Sequence, residues 1–191
     1  MTSPDLGQGR AGGLGMWARI MAERRTETMP TPDPPAARPV SPAPMASADL
    51  IFGDDGLVAW DRIWTDFCDL ALTGGPPHRG TMLDAPEIEE VAADLPGYER
   101  ARAEIARGLT MTTPWPVAHD GPIGWIGLVS PDREAAKWMA RAILAENVAA
   151  RPAGASVLVP AGPAFTLRGE TKNVVTAVAK AWHYWAKHGM R

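Results

Sequence analysis

Residues 73–90 read TGGPPHRGTMLDAPEIEE, and GGPPHRGT within them has the composition of a loop that could hold a charged group. Gly74, Gly75 and Gly80 let a backbone approach a ligand closely. Pro76 and Pro77 stiffen the loop and so lower the entropy lost on binding. His78 and Arg79 supply donors matched to carboxylate or phosphate, and Thr81 adds a hydroxyl. The same composition also serves as a plain corner between two helices: glycine to stop one, proline to turn, polar side chains in water.

A second cluster of donors is RGETKN, residues 168–173, at the expected start of the last helix. Arg168 and Lys172 are its cations, with Thr171 and Asn173 beside them. Helix heads present free amides and the positive end of the backbone dipole, both suited to an anion. Glu146 and Asn147, at the end of the preceding helix, are polar among apolar neighbours and would join a composite pocket if the fold brings them near. Binding residues are therefore expected at His78, Arg79, Thr81, Arg168 and Lys172.

Catalysis finds less support. His78 is the one candidate general acid or base, with Arg79 as its electrostatic partner. His183 shares a helix face with Thr176, Lys180 and Lys187, opposite a valine stripe, and is expected in solvent. His188, five residues on, lies about 140° around a helix from it and makes no chelating pair. His119 stands in a polar loop beside Asp120. Cys68 is the sole cysteine and falls mid-helix among aromatics, the setting of a structural thiol. No disulfide and no cysteine zinc cluster can form within the chain. H-E-x-x-H, G-x-S-x-G and the phosphate-loop pattern are absent, so no metal is expected and no cofactor is indicated.

These residues need a framework. The chain has 191 residues, 46% hydrophobic and 21% charged, inside the globular range. A net charge of -3 argues against bulk nucleic-acid binding, which needs a basic field. No apolar run approaches a membrane span, and no secretory leader is evident, so the expected location is the cytoplasm. Residues 1–50 read as a disordered tail. Seven of residues 30–44 are proline, which excludes helix and sheet and leaves an extended linker. Leu14, Trp17, Ile20 and Met21 ahead of it suit a short amphipathic segment.

Residues 51–191 read as a single α+β domain, with a helical part at 51–110 and a β-α-β-β-α part at 122–191. The first helix is expected from Asp54 or Asp55 to Thr73, with Trp60, Ile63, Trp64 and Phe67 on its apolar stripe. A second is expected after Asp84 and a third after the LPG break at 95–97. Residues 124–130 read as a strand, followed by a helix capped at Ser130. Residues 156–159 and 165–167 read as a hairpin, and 172–188 as the final helix. That order is like a ferredoxin-like unit lacking its last strand. It implies a small mixed sheet with its two helices on one face and the N-terminal helices on the other. Three functions fit: a non-catalytic accessory protein holding an anionic small molecule or an acidic partner segment; a small enzyme built on His78; or an oligomeric interaction module, a homo-oligomer included.

Overall fold

The computed structural model describes residues 49–64 and 82–188. The tail up to residue 48, most of the first expected helix, Cys68, and the loop carrying His78, Arg79 and Thr81 lie outside the described residues.

Residues 52–58 form a tight turn where a helix start was expected. Phe52 bridges Val58, and the Gly53 amide donates to the Leu57 carbonyl at 2.8 Å. Asp55 accepts the Leu57 amide at 2.9 Å, a local bond that competes with helix. Gly56 adopts φ +73°, a conformation that suits glycine. A single 3-10 turn follows at Trp60–Arg62.

Helix α1 spans Ile88–Ala93 and α2 spans Leu95–Thr112. The cap of α1 is Glu87 rather than Asp84, in a reciprocal box with Glu90. Asp94 caps α2 by accepting the Gly97 amide at 2.8 Å. The LPG triplet is thus the first turn of a helix, where proline's missing donor costs nothing.

Strand β1 (Val117–Ala118) and β2 (Trp125–Val129) precede α3 (Arg133–Ala145). Asp132 caps α3, while the Ser130 hydroxyl donates to the Ala155 carbonyl across the sheet end. Then come β3 (Arg151–Ala153), β4 (Ser156–Pro160), a π turn at Leu167–Thr171, and α4 (Lys172–Lys187). The sheet order is β1-β2-β4-β3, every pair antiparallel. The expected mixed sheet is therefore corrected. The partner of β4 is 151–153, not 165–167, and the hairpin turns at Gly154 with φ +63°. β2 and β3 both run opposite to β4 between them, and α3 carries the chain from one to the other.

Side-chain alternation separates the two sheet faces. Ile126 pairs with Val159 and Leu128 with Val157, and this face joins one apolar cluster with all four helices. Val91, Ile105, Leu109, Met139 and Val178 are among its members. The opposite face shows Trp125 and Leu158, packed with Ala149 and Ala85. The Arg151 guanidinium lies 4.1 Å above the Trp125 ring. The expected cover of this face by N-terminal helices does not form among the described residues: α1 and α2 join the same cluster as α3 and α4. No described helix is long and apolar enough to cross a membrane.

Candidate functional site: the head and polar flank of the last helix

The π turn that opens α4 is held by its own side chains. The Thr166 hydroxyl accepts the Gly169 amide at 3.2 Å. Glu170 reaches back to the Thr166 amide at 2.8 Å and to its hydroxyl at 2.9 Å. This resembles a capping box stretched by one residue, as a five-residue turn requires. A Cβ at Gly169 would stand 2.5 Å from the Thr166 oxygen, so the turn needs glycine there. Burial acts most strongly on the Glu170 carboxyl and would raise its pKa. The hydrogen bonds from the Thr166 amide, its own amide and the Thr166 hydroxyl together outweigh burial and leave the pKa below the ordinary value.

Arg168 and Lys172 stand one helical turn apart at this head. Arg168 is exposed, whereas Lys172 is 7% exposed. Burial pulls the Lys172 pKa below its usual value; Asp49 opposes that, and the nearby charge of Arg168 adds to it. Of the five expected binding residues, these two come together. His78, Arg79 and Thr81 lie outside the described residues.

Most of the flank of α4 expected in solvent is covered, and Lys187 at its end is exposed. Lys172, Thr176 and Lys180 recur at four-residue spacing, about 12 Å from first to last, and all three are buried. His183 is half-buried, and burial, then the charge of Lys187, lowers its pKa. Among the described residues the Thr176 hydroxyl is buried with no hydrogen-bond partner. Leu50, Trp60, Ile63 and Trp64 pack with Val175 on the neighbouring face. Lys180 Nζ donates to Glu146 Oε2 at 2.7 Å.

That ion pair explains the polar Glu146-Asn147 step at the end of α3. Asn147 adopts φ 61°, the left-handed conformation that closes helices. Its carbonyl accepts the Leu83 amide at 3.0 Å, and the Leu83 carbonyl accepts the Ala149 amide at 2.8 Å. Leu83 is thereby pinned beside the end of α3, next to the Glu146 that pairs with Lys180. His119 is exposed, and its carbonyl accepts a bond from Arg102.

Sequence reasoning missed Thr166 and Glu170 as the clamp of the π turn. Their threonine–glutamate pattern was the available signal, displaced by one residue from the usual capping spacing.

The fold and site define an α+β domain, four helices gathered with one face of an antiparallel sheet and a cationic pair at the head of the last helix. Compared with protein-family models, curated proteins and solved structures, the chain matches none.

Proposed function

We propose that the domain is a non-catalytic binding protein that holds an anionic small molecule at the head of α4. Arg168 and Lys172 are the contacting cations, and the loop bearing His78, Arg79 and Thr81 is the further set of donors.

The observation that supports this reading is the like-charged pair. Arg168 lies near enough to Lys172 to depress its pKa, and Lys172 is already disfavoured as a cation by burial. Like charges one turn apart on a helix are unfavourable. An anion set between them reverses the sign of that interaction, and the helix head adds its dipole. Asp49 opposes the lowering of the Lys172 pKa with a charge effect that ranks above that of Arg168.

Calorimetric titration of wild type, Arg168→Ala and Lys172→Met against phosphate and citrate tests the proposal. Methionine keeps the buried aliphatic stem of Lys172. Each variant should bind more weakly by about 1.5–3 kcal/mol, the scale of a hydrogen bond to a charged group. Affinity unchanged in both variants, or no anion bound by the wild type, would remove the α4 head as the site.

A further inference from the structure

A cleft of about 250 Å³ opens between the 52–58 turn, α2 and the π turn. Its apolar walls come from Phe52, Leu57, Phe165 and Leu167. Phe52 is 46% exposed and Leu57 49%, so two large apolar side chains stand at its rim rather than in a core. Scattered exposed apolar residues need no explanation; two that line one concavity together with polar groups do.

Those polar groups differ in what they already hold. The Glu104 carboxylate is compensated: Oε1 accepts Trp60 Nε1 at 2.8 Å and Arg107 at 2.6 Å, and Oε2 accepts Arg107 Nε at 3.0 Å. The Asp55 carboxylate, on the 52–58 turn, is taken up with the Leu57 amide. Arg100 lines the cleft one turn before Glu104 and has no hydrogen-bond or ion-pair partner among the described residues. Thr171 is 2% exposed, lines the cleft, and caps no backbone amide; its hydroxyl makes no hydrogen bond among the described residues.

We propose that this cleft binds a small amphipathic carboxylate, an aryl or short acyl chain with a single carboxylate. The carboxylate pairs with Arg100, the chain lies against Phe52, Leu57 and Phe165, and the Thr171 hydroxyl bonds the ligand. Charge decides the sign of the ligand, since of the two charged residues that line the cleft Glu104 is ion-paired and Arg100 has no ion-pair partner among the described residues. Volume decides its size, because the cleft falls below the roughly 300–1,000 Å³ of pockets that hold drug-sized molecules. None of these residues belongs to the Arg168–Lys172 pair, so the two readings stand or fall separately.

The test is a backbone-amide NMR titration of the full chain with octanoate, octylamine and acetate. Octanoate should shift the amides of Leu57, Arg100 and Thr171. Octylamine, with the wrong charge, and acetate, without the chain, should not. Arg100→Ala and Phe52→Ser, both at exposed positions, should each weaken octanoate binding about tenfold or more, with unchanged melting temperatures. Thr171→Val should weaken it by a smaller factor, and Arg168→Ala should leave it as in wild type. Octanoate binding that is equal in wild type and Arg100→Ala overturns the proposal. So does equal binding of octylamine, a response confined to amides elsewhere, or no response to octanoate at millimolar concentration.

Discussion

Lys180 on α4 and Glu146 at the end of α3 meet at 2.7 Å, with the lysine side chain 10% and the glutamate side chain 24% exposed. The bond ties the last helix to the corner where Leu83 is pinned beside Val148. Two partly buried charges in contact gain from each other but each gives up hydration. Glu146→Gln should cost about 1.5–3 kcal/mol, because it leaves a buried ammonium facing a neutral amide. The double variant Lys180→Met with Glu146→Gln should cost less than the sum of Lys180→Met and Glu146→Gln made singly. Urea unfolding of the four proteins yields the coupling energy, expected at about 1–3 kcal/mol. A coupling near zero would reduce the pair to a surface contact.

The approach of α2 to α4 depends on Gly108. A Cβ there would stand 2.6 Å from Val175 Cγ2 and 3.3 Å from Trp60 Cε2. Val175 and Trp60 are fully buried and have little room to yield. Alanine is the better helix former by about 1 kcal/mol, yet the overpacking should exceed that gain. Gly108→Ala should destabilise by about 1–2 kcal/mol net, read as a lowered urea midpoint with an unchanged slope. Greater stability in the variant would show that the two helices can separate without loss.

Periodicity made some elements legible and concealed others. Trp125–Val129, the body of α3 and nearly the whole of α4 follow from apolar spacing and turn signals. β3 was invisible because Arg151, Pro152 and Ala153 are all exposed, so no face alternates. Its proline is tolerated because the strand lies at the sheet edge. Residues 165–167 alternate like a strand but lead into the π turn, where the Thr166–Glu170 bonds set the backbone. The spacing in α4 predicts a polar face in solvent, because one apolar stripe usually means one buried face. That rule fails for a helix contacted on several sides, with Val174 and Val178 in one cluster and Val175 in another. The Arg168–Lys172 pair could be read from four-residue spacing alone. The cleft could not, because its walls come from three stretches far apart in sequence.

The half-buried His183 gives the fold a pH dependence whose sign can be worked out. Burial chiefly, and Lys187 next, hold its pKa below the ordinary value in the folded protein. In the unfolded chain it titrates near 6.5. Above that value both states carry the neutral ring, and the full stability is present. As pH falls below about 6.5 the unfolded chain takes up the proton before the folded one does, so stability declines. The decline continues until pH has passed through the lowered folded pKa, and there this contribution levels off. His183→Gln removes the titration while keeping a polar side chain of comparable reach. Unfolding free energies measured from pH 7.5 down to about 5 should therefore fall less steeply in the variant than in wild type. The variant's absolute stability can differ for other reasons, because His183 makes further contacts; the slope is the quantity that reports the proton. Parallel slopes in the two proteins would mean that His183 is as readily protonated in the fold as in the open chain.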